Sequence, residues 1–432
     1  MCGLDRVISK EQPGSERHHI NSCQDGFSRL RGVLVITILI VVGVSLGSPS
    51  AKAQASIGVT VKHGKLVVAG TNQQFIPRGF TSAGLVYPTP YATALCRLRP
   101  AIAGYLKDAQ AALNSPPLPG VGYKASFEAM VHKWHANTVR FQISQGGLQY
   151  GYAHGLSKYA DTIRRVVAEA RSAGLIVIIS MNTEGYSCTP YEHGKMQKLP
   201  DKRTEQAWSH LLDDSITHDK GVILEVFNEP ATSKACHLGT FMHPDWKKAW
   251  PDWAKGCGTE PKQGMLVVGK YIRKIAPDNV LLFDGDGPDF AFTQFRIPRG
   301  MPKNSAFTFH PYGYIVNGSK RDSVSVWNKR FGQFAQKGHA IFVTEWNEAF
   351  LCPHDLNQSI TRFFIQSYLP AHSIGMIGYA WDAPVEAKGY LVNSYNYAGN
   401  KANYQLVDPN QSGCDHDGGR LLQQQFRAEA AK

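Results

Sequence analysis

The chain has 432 residues, of which 43% are hydrophobic and 19% are charged, and its formal net charge is +12 at pH 7. This composition is that of an ordinary folded protein, and the length allows one large domain or two to three small ones. The basic residues are scattered and form no Lys/Arg-rich block, so the charge predicts a basic soluble surface and argues against a nucleic-acid partner.

The first element along the chain has the pattern of a secretory signal peptide. An apolar run over residues 32–46 lies between two arginines and the small-residue cleavage motif Ala51-Lys52-Ala53. The run is shorter than the ~20 residues that a membrane-spanning helix needs. We therefore predict a disordered leader and signal peptide over 1–53 and a secreted or periplasmic domain over 54–432, with no stable membrane span. A chain tethered by an uncleaved segment is the alternative.

The cysteines agree with export. Six of the eight follow the cleavage motif: Cys96, Cys188, Cys236, Cys257, Cys352 and Cys414. An even number in an oxidising compartment predicts up to three disulfides, and the spacings match no zinc motif. Six cysteines allow fifteen pairings, and the sequence does not choose among them. We favour Cys236 with Cys257 only because they are close along the chain.

The domain itself begins with a β-hairpin pattern. Apolar and polar residues alternate from Gly58 to Val68 around His63-Gly64. Eight short apolar runs then recur, and each predicts a strand: 75–80, 138–143, 175–180, 223–229, 280–283, 306–310, 341–345 and 376–381. Helical patterns lie between them at 159–171, 211–216, 265–275 and 421–431.

Eight strands alternating with helices are typical of an α/β fold of the (β/α)8 TIM barrel type. We predict this barrel with the N-terminal β-hairpin and with long βα-loop insertions at 81–122 and 231–261. A doubly wound sheet is the rival fold. A Gly-rich phosphate loop after the first strand would favour it, and the sequence has none. Both insertions follow strands, so both belong to the face where barrel active sites are built. The tryptophans at 246, 250 and 253 fit either a loop core or extra sugar platforms.

Polar side chains end several of the predicted strands, where a barrel builds its site. They are Arg140, Asn182, Asn228, Glu229, His310, Tyr312, Glu345 and Trp381. The two glutamates end the fourth and seventh strands, which face each other across a barrel mouth. Two facing carboxylates are what cleavage of a glycosidic bond needs, because one protonates the leaving oxygen and the other attacks the anomeric carbon. Their surroundings must hold the two pKa values apart.

These residues resemble glycoside hydrolase family 5, the cellulase-type family of the retaining clan A. The resemblance covers about residues 58–431 and rests on these motifs: Val226-Phe-Asn-Glu-Pro230, Val343-Thr-Glu-Trp346, His310-x-Tyr312, Asn137-Thr-Val-Arg140 and Trp381. Asn-Glu-Pro alone is moderately specific, whereas the whole set in this order is strongly so.

The resemblance implies a role for each strand-end residue. Glu229 would be the acid/base and Glu345 the nucleophile, which Arg140 and Tyr312 would keep ionised. Further roles follow for the rest of the set: Asn228 would bind the sugar 2-hydroxyl, His310 would orient the glutamates or the substrate, and Trp381 would form the floor under the sugar, followed by a cis peptide bond to Asp382.

Two positions stand apart from that pattern. The third strand of the family commonly ends in His, whereas here Asn182 takes the position, which leaves the chemistry intact and the sugar preference open. Glu225 shares strand parity with Glu229, so we expect it one layer lower as a paired structural carboxylate.

The sequence therefore predicts a secreted retaining β-glycosidase, expected to be a monomer, that acts on a β-linked polysaccharide or oligosaccharide. An endo-β-1,4-glucanase is the member we favour, and a β-mannanase or an exo-acting β-glucosidase-like enzyme is the alternative. A protein of a different class, a non-catalytic carbohydrate-binding barrel, is a further alternative. Absence of either glutamate would have indicated it, and both are present. No metal or organic cofactor is expected, because no ligand cluster or phosphate loop is apparent in the sequence.

Overall fold

The computed structural model describes most of the residues from 57 onward. The described residues are 57–82, 123–153, 158–183, 197–240, 243–257, 263–287, 290–312, 323–346, 358–382, 392–393, 405–406 and 418–431. The predicted signal peptide and most of the first insertion, from 83 to 122, lie outside these ranges. Within them, no helix is both long and apolar enough to cross a membrane.

The N-terminal hairpin consists of β1 (Val59–Lys62) and β2 (Lys65–Val68), paired antiparallel as predicted. Its two turn residues, His63 and Gly64, both have positive φ, which matches the twist of a tight hairpin. Leu66 and Phe75 pack against inward-facing apolar residues of the barrel strands. The hairpin therefore closes the end of the barrel at which the strands begin.

Eight parallel strands form a closed barrel, which confirms the predicted fold. They are β3 (Arg78–Ser82), β4 (Thr138–Ser144), β5 (Ile176–Asn182), β6 (Val222–Glu225), β9 (Val280–Asp284), β10 (Ser305–Phe309), β11 (Ile341–Val343) and β12 (Met376–Asp382). They pair in chain order, and β12 closes on β3. Two short hairpins lie outside the barrel: β7 (Gly239–Thr240) with β8 (His243–Pro244), and β13 (Val392–Asn393) with β14 (Gln405–Leu406).

The helices that surround the barrel vary in length. The α-helices are Tyr123–His132, Gln145–Ala153, Lys158–Ser172, Lys202–Leu211, Asp214–Thr217, Thr232–Cys236, Trp246–Lys255, Gly264–Ile275, Val324–Trp327, Gln333–Gln336, Gln358–Phe363, Leu369–Ala371 and Gly418–Ala430, and the π-helical segments are Asn328–Gly332 and Phe364–Tyr368. The prediction of one helix over 211–216 is wrong. A helix ends at Leu211, Leu212 is extended, and the side chain of Asp213 accepts the N–H of Ser215 to cap a new helix.

Two strand boundaries also differ from the prediction. The first barrel strand begins at Arg78, because the N–H of Phe75 still bonds to the carbonyl of Leu66 in the hairpin. The fourth strand ends at Glu225, and Glu229 has a φ of 51°. Glu229 is therefore carried by the turn that follows the strand rather than by the strand itself.

The interior of the barrel changes character from bottom to top. Near the hairpin, inward-facing side chains such as Ile178, Ile223 and Leu282 form an apolar cluster. Two residues further along each of these strands, at the next inward-facing position, lie Ser180, Glu225 and Asp284, all fully buried. Since inward-facing positions recur every second residue, this polar layer lies directly below the barrel mouth.

The second insertion folds as a small aromatic core. Trp250 and Trp253 are buried, and their indole N–H groups donate to the carbonyls of Thr293 and Asp284 at 2.9 and 3.0 Å. These two rings therefore support the rim of the barrel, and the loop-core interpretation is the one that fits. Cys236 and Cys257, the pair favoured from the sequence, lie close enough to form a disulfide, with their Cα atoms 5.8 Å apart.

Candidate active site

Glu229 and Glu345 come together at the mouth of the barrel, although 116 positions separate them. Carboxylate oxygens of both residues and a ring nitrogen of His310 all lie within 4.8 Å of one another. Retaining glycosidases hold their carboxyl groups ~5–5.5 Å apart, whereas inverting ones need ~6.5–9.5 Å to admit a water. One oxygen of each glutamate therefore lies closer to the other than the inverting arrangement requires. Their side chains are 19% and 4% exposed, so Glu229 is the more open to the cleft.

Arg140 lies under this pair as a fully buried cation. Its Nε and Nη2 atoms donate to both carboxylate oxygens of Glu225 at 2.7 and 2.5 Å. Its Nη1 donates to Oε1 of Glu345 at 2.7 Å. One guanidinium thus hydrogen-bonds two buried carboxylates at once, through the fork geometry that only arginine offers. Glu225 lies one layer below the mouth and is paired, as the sequence predicted.

Glu345 is surrounded by donors. Besides Arg140, the side-chain amide of Gln142 donates to its Oε1 at 2.9 Å, and the hydroxyl of Tyr312 donates to its Oε2. Burial acts to raise the pKa of Glu345, but His310, Arg140 and the Tyr312 hydrogen bond outweigh it and hold that pKa below its usual range. Glu345 is thereby kept as a carboxylate, the form in which it could attack.

Glu229 has a different set of neighbours. Its Oε1 lies 2.9 Å from Nδ1 of His310, and its backbone N–H donates to Oδ2 of Asp284 at 2.9 Å. The other ring nitrogen of His310 lies 2.9 Å from Oγ1 of Thr344. Burial acts to lower the pKa of His310, but Glu345 and Glu229 raise it above its ordinary value. No donor of the Arg140 kind reaches Glu229 within the described residues.

The two asparagines are buried at neighbouring strand ends. Oδ1 of Asn228 accepts from Nη2 of Arg140 at 2.6 Å, so the guanidinium fixes the orientation of this amide. Asn182 ends β5, paired in register with Ser144 of β4. Both residues are less than 5% exposed.

Trp381 does not lie in the site, which corrects its predicted role as a sugar platform. The ring is fully buried and packs against Phe80 and Trp134, at centroid distances of 5.1 and 5.8 Å, between the barrel and its outer helices. The cis peptide bond also differs in place, because it joins Tyr379 to Ala380 rather than Trp381 to Asp382.

A β-bulge explains the position of Trp381. Between Tyr379 and Asp382 the register of β12 shifts against β3, so that these two residues pair with the adjacent residues Thr81 and Ser82. Strict alternation from Ile377 and Tyr379 would have pointed residue 381 inward, and the extra residues turn it outward. The aromatic ring left at the mouth is Tyr379, half-buried and 6.2 Å from the ring of Tyr312.

Three residues of the site escaped the sequence reasoning: Gln142, Asp284 and Tyr379. Gln142 shares inward parity with Arg140, two residues earlier, and strict alternation places Tyr379 on the same face as the inward residue Ile377, so both positions are accessible from the sequence. Asp284 follows directly on the predicted strand 280–283 and could have been read as one more polar strand end.

In the described part of the chain, acidic and histidine side chains approach closely enough to hold a cation at two places: Glu229 with His310 and Glu345, and Glu225 with Asp284 and His310. Arg140 already supplies a positive charge to Glu225 and Glu345 at hydrogen-bond distance. A dication would have to compete with the guanidinium, so the geometry favours an ion-pair network over a metal centre.

Solved structures of similar fold include several glycanases. A β-glucanase from Saccharophagus degradans is 15% identical, with a TM-score of 0.57, over 88% of this chain and 95% of that one. The catalytic domain of an endoglucanase from Thermobifida fusca is 15% identical, with a TM-score of 0.53, over 86% and 97%. An endocellulase from Pyrococcus horikoshii is 13% identical, with a TM-score of 0.57, over 87% and 100%. At these identities the likeness shows the shared fold.

The comparison with protein families is more specific. No curated protein matches the chain. The family model described as cellulase (glycosyl hydrolase family 5) matches residues 115–384, more than half of the chain and the part that carries Arg140, Glu229 and Glu345. With the closed parallel barrel and the paired glutamates, this match means that the chain belongs to glycosyl hydrolase family 5.

Proposed function

We propose that the protein is a retaining β-glycosidase that hydrolyses a β-linked polysaccharide or oligosaccharide by double displacement. The observation that carries this proposal is the asymmetric pair of glutamates. Glu345 is held by three donors, one of which is the cation Arg140. Among the described residues, the side chain of Glu229 is held by a histidine alone, and it is the more exposed of the two. The fold thus places a carboxylate that is held ionised beside a second, more exposed carboxyl group, the asymmetry that the double displacement needs.

In the first step, Glu345 attacks the anomeric carbon of the bound sugar. The carbon–oxygen bond to the leaving sugar breaks while Glu229 gives its proton to that oxygen. The product is a glycosyl ester on Glu345, and Arg140 and Tyr312 stabilise the carboxylate up to the moment when it forms the bond.

In the second step, Glu229, now a carboxylate, removes a proton from a water molecule. That water attacks the anomeric carbon from the face that the leaving group vacated, and Glu345 is released as a carboxylate. Two inversions give net retention of the β-configuration, and Glu229 regains its proton for the next cycle.

For the substrate we propose a β-1,4-glucan cut internally. Support comes from the solved neighbours, since the glucanase from S. degradans and the endocellulase from P. horikoshii are both described in complex with cellotetraose. A β-mannan, or exo-action on short β-glucosides, is the second candidate. Asn182 supports this second candidate. The family commonly has histidine at this position, and an amide, which cannot carry a charge, could change which sugar the site prefers.

A panel of glycans tests this proposal. Purified enzyme incubated with β-1,4-glucan, mixed-linkage glucan, mannan and xylan should release products of several lengths from β-1,4-glucan, read by size chromatography. Release of glucose alone from the start would indicate exo-action, and preferential cleavage of mannan would replace glucan as the substrate. The variant Glu345→Gln should be inactive on all four polymers, and residual cleavage by it would contradict the proposed site.

We propose that the enzyme works outside the cytoplasm after cleavage following Ala53. The basic-apolar-small pattern of residues 29–53 and the even number of later cysteines support this proposal. N-terminal sequencing of the exported protein should begin at Gln54. An intact apolar segment in a membrane fraction would establish the tethered form instead.

A further inference from the structure

The backbone of Glu229 has a conformation that its own side chain does not favour. Its φ of 51° lies in the left-handed region, which is uncommon for residues other than glycine, asparagine and aspartate. Such conformations persist where the surroundings hold them, and they concentrate at functional sites. The group that holds this one is Asp284, the last residue of the neighbouring strand β9, whose Oδ2 accepts the N–H of Glu229 at 2.9 Å.

Asp284 also lies beside the histidine that contacts the same glutamate. Its Oδ2 is 3.7 Å from Nε2 of His310, whose Nδ1 is 2.9 Å from Oε1 of Glu229. The backbone of Glu229 and the group that orients its carboxyl therefore both lie against one carboxyl group. Asp284 itself is fixed in place, because its carbonyl accepts from the indole N–H of Trp253 and its side chain is fully buried.

The chemistry at Asp284 is that of a hydrogen-bond acceptor more than of a charge. Burial and then Glu225 raise the pKa of Asp284 well above its usual range, against the opposing effect of Arg140. Its Oδ1 has no hydrogen-bond partner among the described residues. A neutral carboxyl can still accept the N–H of Glu229 through Oδ2, and it adds no negative charge beside Glu225 and Glu345.

We infer that Asp284 is a positioning residue for proton transfer: by accepting the N–H of Glu229 it fixes the left-handed turn that presents this carboxyl to His310 and to the departing oxygen. This inference rests on the proposed role of Glu229 as the acid/base. Its consequence is selective. Loss of the acceptor should impair the protonation of the leaving group and leave the attack by Glu345 largely intact.

The test compares leaving groups, using the phenyl and 2,4-dinitrophenyl β-glycosides of the sugar that the enzyme accepts. For Asp284→Ala, kcat/KM on the phenyl glycoside should fall by about 100-fold, the size of effect expected from a misplaced catalytic group. On the dinitrophenyl glycoside, whose departure needs little protonation, kcat/KM should fall only a few-fold. Asp284→Asn should stay within about threefold of the wild type on both, because an amide oxygen can accept the same N–H.

Asp286 provides the matched control. It is equally buried, two residues further along, and its Oδ1 accepts a backbone N–H at 2.9 Å in the same manner, but from Thr232 rather than from a glutamate of the pair. Asp286→Ala should lower stability and affect both glycosides by the same factor. If Asp284→Ala does not fold, Asp284→Leu fills the space without supplying an acceptor and takes its place in the comparison.

Two results would overturn the inference. Equal losses on both glycosides in Asp284→Ala or Asp284→Leu would mean that Asp284 is only structural. A loss in Asp284→Asn as large as in the alanine variant would mean that its charge acts, not its acceptor oxygen. Failure of the proposed function would give a different result. If Glu229 is not the acid/base, Glu229→Ala would lower kcat/KM on the phenyl and dinitrophenyl glycosides by the same factor.

Discussion

Replacing each glutamate by alanine should nearly abolish hydrolysis of the natural glycan, yet azide should rescue the two variants to opposite anomers. Glu345→Ala loses the nucleophile, and we expect losses on the order of 10⁴-fold or more, as in other covalent mechanisms. Glu229→Ala loses acid/base catalysis, worth ~10²–10⁴-fold. With a dinitrophenyl glycoside, Glu229→Ala should still form the glycosyl enzyme quickly and then stall, because no base activates water for its release.

Added azide should restore turnover of Glu229→Ala and give the β-glycosyl azide, since this anion attacks without deprotonation. In Glu345→Ala it should enter through the vacated face and give the α-azide. NMR of the products and mass spectrometry of the trapped sugar read these outcomes. An α-product from Glu229→Ala, or a sugar attached to Glu229, would reverse the two roles. Glu205→Ala, which removes a carboxylate on an outer helix that pairs with Lys202, should not respond to azide.

Removing the guanidinium below the pair should have the largest effect on stability. Arg140→Met leaves Glu225 and Glu345 buried without their cation, and loss of one partner of a buried pair costs about 3–5 kcal/mol. Urea denaturation should show that decrease in the free energy of unfolding. Lys248→Met is the control. It removes an exposed ion pair with Asp245, 3.3 Å long and 70% and 44% exposed, and should cost less than about 1 kcal/mol.

The same substitution should also move the pH dependence of activity. Glu345 must be ionised to attack, and Arg140 is among the groups that hold its pKa below the usual range. Without the guanidinium that pKa rises, so the acidic limb of the kcat/KM profile should shift to higher pH. Tyr312→Phe, which removes one donor and no charge, should shift it in the same direction and fold more readily. An unmoved acidic limb in both variants would contradict the assignment of Glu345 as nucleophile.

The barrel and the glutamate pair were accessible from the sequence for a local reason. Strands buried on both faces read as continuous apolar runs, and the polar residue that ends each run marks the barrel mouth. Glu229 and Glu345 stood out because each follows such a run, and Arg140 because it interrupts one. The likeness to glycoside hydrolase family 5 added roles to these positions, but the positions themselves came from strand alternation.

Only the tertiary structure decided which of these side chains meet. Arg140 contacts Glu345 across 205 positions of the chain, and no local pattern specifies that contact. The contact of Asp284 is equally hidden from the sequence, because its partner is the backbone N–H of Glu229, a group that every residue except proline has. Trp381 shows the limit most clearly: alternation pointed it into the barrel, and a bulge against β3 turned it into the outer core. Alternation fixes the face of a side chain only while the register is regular, and bulges, turns and long-range hydrogen bonds are set by packing of the whole barrel.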